Sequence, residues 1–171
     1  MKKLKIFTIF MAVFAMLVAP ALADTIDQTA SGAGTVMPSS FGNGFYRMTK
    51  IIDFADVLTE KESALAAADI IQVFDIPKRH AVLAATINPI TVGDSTTATL
   101  DLVFTTLPEA DPDNFVDGYD AIQVASSGVP IFNVEGYALD SATTVDMVIK
   151  TLSGTLATGK VRVTAIIWDM R

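Results

Sequence analysis

The sequence predicts an all-β fold, a single antiparallel β-sandwich of jelly-roll type, on three observations. Several segments alternate apolar and polar residues with a period of two, the mark of a strand with one buried side. Gly, Pro, Asn and Asp cut the chain into short apolar runs at the spacing of sandwich strands. Good helix formers gather in one place only, Val57 to Ala68 (VLTEKESALAAA).

The first 23 residues read as an export signal rather than as part of the fold. Lys2, Lys3 and Lys5 form a basic start, Ile6 to Ala19 is an uncharged run of 14 residues, Pro20 breaks it, and Ala21-Leu22-Ala23 offers small residues to a signal peptidase. As a helix that run spans roughly 21 Å, short of the roughly 30 Å hydrocarbon core, so no stable membrane anchor is expected after cleavage. The working protein then runs from Asp24 to Arg171 and is exported, to the periplasm, the cell surface or the medium. With the three leader lysines set aside, nine basic residues face 19 acidic ones, a net charge of −10. Such a surface repels nucleic acid and anionic lipid, and Lys78-Arg79-His80 is too short a basic cluster to reverse that. The chain has no cysteine, which excludes disulfides, thiolate metal sites and cysteine nucleophiles.

Residues 24–44 (DTIDQTASGAGTVMPSSFGNG) have no hydrophobic period and read as a flexible arm, either a solvated tail or a segment that orders on a neighbouring subunit. The sandwich body is expected over residues 45–171. Phe45 to Ile52 has the aromatic and β-branched content of a strand, and Val57 to Ala68 reads as a loop with one or two helical turns, in which Thr59-Glu60-Lys61-Glu62 supplies a cap. Ile70 to Ile76 is a strand ended by Pro77, and Ala81 to Ile87 a strand ended by Asn88-Pro89. Thr97 to Phe104 puts Ala98, Leu100, Leu102 and Phe104 on one face against Thr97, Thr99 and Asp101 on the other. Ile131 to Gly136 is a further short strand. At the C-terminus Val145, Met147 and Ile149 alternate with Thr144, Asp146 and Lys150, and Val161, Val163, Ala165 and Ile167 with Arg162, Thr164 and Ile166. Ser153-Gly154 and Thr158-Gly159 suggest a long-looped hairpin between these last two, and seven or eight strands in all.

Chemistry is sparse. Glu109 to Asp120 (EADPDNFVDGYD) holds five acids and no base, and clustered carboxylates on turns suit a hard cation. Asp111, Asp113, Asp117 and Asp120 are therefore the candidate Ca²⁺ ligands, although the spacing is not that of an EF-hand; turn capping explains the same residues. A pair of these acids could also serve a glycosidase, but no cleft is visible in sequence. His80 is the single histidine, no Gly-x-Ser-x-Gly elbow accompanies it, and after Pro77-Lys78-Arg79 it reads as a solvent-facing turn residue. Gly42-Asn43-Gly44 lacks the third glycine and preceding strand of a dinucleotide loop and reads as a flexible join. Trp168, Phe41, Phe45, Tyr46, Phe115, Tyr119 and Tyr137 could line a carbohydrate platform or belong to the core and to subunit contacts. No catalytic residue is identified, and no cofactor beyond the candidate Ca²⁺ is implied.

The run Ala67 to Pro77 (AADIIQVFDIP) resembles a segment of small structural proteins of tailed bacteriophages, in which an x-I-x-V-x-D-I-P strand leads to a second strand, then to a Thr-rich strand like Ser95 to Phe104. A loop of type Asp-x-Asp-x-Phe-Val-Asp-Gly follows, as in Asp111 to Gly118, and a Val-rich strand closes the chain. The likeness runs in order from about Phe45 to Arg171, and the leader sets this chain apart from that group. It implies a β-sandwich subunit that builds or decorates a virion, with no catalytic residues to carry over. The resulting expectation is a non-enzymatic exported structural protein that assembles with copies of itself into a virion, filament or surface layer, without nucleic acid. A secreted sandwich that binds a glycan or Ca²⁺ is the alternative.

Overall fold

The structure, a computed structural model, describes residues 23–29, 35–38, 44–104, 115–120 and 137–170. Among these residues ten strands and one helix follow in order: β1 Thr25–Asp27, β2 Thr35–Pro38, β3 Phe45–Asp53, α1 Phe54–Lys61, β4 Ile70–Ile76, β5 His80–Thr91, β6 Thr97–Val103, β7 Val116–Asp120, β8 Tyr137–Ala138, β9 Thr143–Ser153 and β10 Lys160–Asp169. They form two five-stranded sheets. Sheet I has the order β1-β4-β9-β6-β7 and sheet II the order β2-β3-β10-β5-β8. Sequential strands β3, β4, β5 and β6 alternate between the sheets, and β9 and β10 do the same. This is jelly-roll winding, and the expected all-β sandwich is what the chain forms.

The two sheets meet through the rows that the period of two marks out. Val161, Val163, Ala165 and Ile167 of β10 are wholly buried, and Val145, Met147 and Ile149 of β9 likewise. Leu100, Leu102, Ile71, Ile76, Ile52 and Ile87 complete the same core. In β4 the register slips between Gln72 and Phe74, so Val73 and Phe74 are both buried; a bulge re-aims one side chain without ending the strand.

Several expectations need correcting. β9 and β10 are not a hairpin: they lie in different sheets, and residues 154–159 cross between them. That crossing is clamped by Asp94, whose Oδ1 accepts the Ala157 and Thr158 N–H groups at 2.8 and 2.9 Å. It also runs so close to Gly93 that a Cβ on Gly159 (φ +110°) would sit 2.7 Å from the Gly93 Cα. β5 does not stop before Pro89 but continues to Thr91. Pro89 falls where the pairing with β10 slips, next to the unpaired Ile90, and among the described residues β8 covers only Ala81 and Val82 on the other side. A missing N–H is harmless there. The helix begins at Phe54, capped by the Asp53 carboxylate (Ala55 N–H, 3.1 Å), rather than at Thr59, and ends on Glu62 in the left-handed conformation. The alanine-rich stretch after it is irregular. The outer side of sheet I is not uniformly wet either, since Asp146 is wholly buried and Asp101 nearly so.

Within residues 24–44, read as an arm, two segments are strands. β1 runs parallel to β4, and β2 is antiparallel to β3. The candidate strand over Ile131 to Gly136 lies outside the described residues.

Asp69, wholly buried, ties the start of the sandwich together. Its carboxylate accepts the Asp24 N–H (2.9 Å) and the Ala66 N–H (2.7 Å) and pairs with Lys61 at the end of α1. Lys61 is itself only 4% exposed, so removing its anion would strand a buried ammonium. Asp69→Ala is expected to cost about 3–5 kcal/mol in denaturant unfolding, and Lys61→Met combined with Asp69→Leu to cost less than the single change.

Three surface carboxyls are held below their ordinary value: Asp94 by the Thr158 and Ala157 N–H groups, Asp53 chiefly by the Lys160 ammonium, and Asp27 by the Thr29 hydroxyl and N–H. A carboxyl depressed in the folded state adds stability above its unfolded value of 3.8, and that contribution disappears as pH falls below it. Thermal unfolding measured from pH 6 to 2 should show stability falling from about pH 4 downward. Asp94→Asn and Asp53→Asn should flatten that fall.

Candidate assembly surface

The outward row of β10 is as regular as its buried one. Arg162, Ile166 and Trp168 are exposed and Thr164 is half-buried. The registers with β3 and β5 set this row into a surface. Trp168 lies between Phe45 and Ala81, Ile166 between Arg47 and Ala84, Thr164 between Thr49 and Thr86, and Arg162 between Ile51 and Asn88. From Arg162 to Trp168 the face is about 20 Å long, and its three strands make it about 10 Å wide. Trp168 is 41% exposed, Ile166 41% and Ile51 38%. Phe45 stacks on Trp168 with ring centroids 5.7 Å apart and planes 19° from parallel, which restrains the indole on this face. Thr49 and Thr164 face each other at 3.4 Å between hydroxyls. Two arginines and no acid lie in these four rows, and Arg162 has no ionic partner among the described residues.

The other aromatic candidates part company with Trp168. Phe115 is wholly buried, edge-on to Phe104 at 4.9 Å, and Tyr119 is buried. Tyr46 is half-buried beside His80, with ring centroids 5.9 Å apart. Phe41 and the Tyr137 side chain lie outside the described residues. Among the described residues the aromatics thus form no single platform, and the Phe45–Trp168 pair is the one stacked pair at the surface.

Of the candidate Ca²⁺ ligands, Asp111 and Asp113 lie outside the described residues. Asp117 is exposed and paired with Lys150, which also stands 3.5 Å from Asp101 Oδ2; Asp101 Oδ1 accepts the Gly118 N–H at 2.7 Å. Asp120 sits opposite Thr99 on β7. Among the described residues no three acids or histidines are grouped to hold a metal ion. Burial pushes the Asp101 carboxyl up, against the pull of Gly118 and Lys150.

His80 is not a solvent-facing turn residue: it is buried, with Nδ1 3.1 Å from the Lys78 carbonyl and Nε2 3.9 Å from Asp169 Oδ2. The turn lies one residue earlier, where Arg79 takes φ +62°, and His80 opens β5 against the end of β10.

Lys50 is a residue that the sequence reading passes over. Tyr46, Met48, Lys50 and Ile52 share the inward side of β3, so a period-two reading of FYRMTKIID finds it. It is 2% exposed and its ammonium has no hydrogen-bond partner among the described residues; Asp27, Glu60 and Asp75 supply only longer-range attraction. Burial lowers its pKa below 10.5. The unfolded chain therefore binds this proton more readily, and stability gains as pH rises toward 10.5. Lys50→Met is expected to stabilise the protein by about 1–3 kcal/mol at pH 7 and by less near pH 10. Paired urea titrations at the two pH values check this.

Two chains of known structure share the fold. One belongs to the capsid asymmetric unit of cyanophage Pam1: TM-score 0.56, 18% identity, 88% of this chain and 99% of that one covered. The other belongs to the capsid of Ralstonia phage GP4: TM-score 0.53, 15% identity, 85% of this chain and 97% of that one covered. The resemblance to phage structural proteins read from the sequence is thus present in the fold. No family model matches the sequence, and no curated protein does.

Proposed function

We propose that this chain is a non-enzymatic virion-type structural protein, a jelly-roll subunit that works by packing against copies of itself through the outer face of sheet II. The observation that carries the reading is the exposed row Ile166–Trp168 with Ile51 and the stacked Phe45, on the central strands of sheet II. Exposed apolar surface of this kind marks a site of association, and Trp and Arg are the residues that dominate such contacts. The likeness to chains of two phage capsids supports the same role, since both span nearly their whole length in the match. The basic, apolar leader with Ala21-Leu22-Ala23 supports export of the subunit before it assembles.

Ile166→Glu with Trp168→Ala places a charge on the face and removes its largest contact, while leaving the buried row of β10 intact. Light scattering should show the native protein as an oligomer and the variant as a monomer, with far-ultraviolet circular dichroism unchanged. A native protein that stays monomeric up to millimolar concentration would contradict the proposal. Intact mass of the product recovered from cells tests export: a chain beginning at Asp24 is expected, and one that retains the leader counts against it.

A further inference from the structure

We infer that the surface receiving this face is a different one, the Asp75 groove on sheet I of the next copy, so that subunits join head to tail. The inference rests on the self-assembly proposed above. Two unpaired charges of opposite sign lead to it. Arg162 stands on the sheet II face among Ile51, Thr164 and Asn88, with no anion among the described residues. Asp75 is the exposed residue of β4, and its carboxylate makes no ion pair or hydrogen bond among the described residues. Lys50 attracts it only from a distance and lies buried between the sheets.

Asp75 lines an open groove of about 480 Å³ together with Gln72, Ile76, Pro77, Thr143 and Thr144, where the end of β4 meets the start of β9. Apart from Asp75 its walls are mostly apolar, which suits the apolar part of the Arg162 face. Within its four rows the face offers Arg162 no acid, and Asp53, one row further along, is already paired with Lys160, so a contact between two such faces brings Arg162 no free anion. Seated on the Asp75 groove it gains an anion and an apolar wall together, and a charge so covered is worth more than one left in water. The two patches lie on different sheets, so the contact is heterologous and closes as a ring or continues as a fibre.

The test is a charge exchange read by sedimentation of the purified protein. Arg162→Glu and Asp75→Arg are each expected to weaken self-association by about tenfold or more, and the double variant to return to within about threefold of the native protein. Arg162→Gln and Asp75→Asn, which remove charge without reversing it, should weaken association less than the reversals do. Melting temperature and circular dichroism confirm that all variants fold. If the native protein assembles but the double variant is as weak as the singles or weaker, this docking is wrong while self-assembly stands. If the native protein is monomeric, both fall.

Discussion

Strand β10 carries two rows of opposite character, and the rest of the molecule is arranged around that division. On one side Val161, Val163, Ala165 and Ile167 are sealed against sheet I; on the other Arg162, Thr164, Ile166 and Trp168 face outward. β10 sits at the centre of sheet II with β3 and β5 hydrogen-bonded along both edges, so neither row can rotate away. A one-residue slip would exchange core and surface, and the unbroken register with β3 from Lys160 to Trp168 opposes it. The hydrophobic contact that holds the sandwich together thus also fixes which side chains face outward, on a sheet paired along both edges of β10. That pairing matters there because a surface already ordered loses little entropy when a partner covers it.

The polar devices act elsewhere, joining segments that the sheets alone would not hold. Asp69 links the Asp24 backbone, the loop at Ala66 and the end of α1 at Lys61. Asp94 fastens the crossing between β9 and β10. These carboxylates sit at connections, where backbone N–H groups would otherwise go unmet. Lys50 differs, since it places an ammonium between the sheets with no hydrogen-bond partner among the described residues, so the sandwich carries it at a cost in stability.

Long strands with clean alternation were legible in the sequence. Ile70 to Ile76 is β4 to the residue, and the inward rows of β9 and β10 are those that the period of two picks out. What escaped was set by contacts distant in sequence. β1 is three residues of no apolar period, held by parallel pairing to β4 and by Asp69, 45 positions away from Asp24. Proline at 89 reads as a stop because its pairing irregularity is a property of two strands together. His80 is buried because β5 begins one residue before its apolar run, against the end of β10. Of the surface, Trp168 and Phe45 were visible as aromatics, but only the register between β3 and β10 makes them a stacked pair. The acidic run Glu109 to Asp120 was the most conspicuous chemical feature, and within its described part Asp117 is engaged with Lys150.

Trp168 is the single tryptophan of the chain, and it stands on the face through which the subunits are proposed to meet. Its fluorescence therefore reports on that face alone. With protein concentration raised across the range in which light scattering detects association, its emission should shift to the blue and its quenching by iodide should fall in step with oligomer formation. Oligomers that form while the emission and quenching of Trp168 stay those of an exposed indole would show that the subunits meet elsewhere, and would contradict the account.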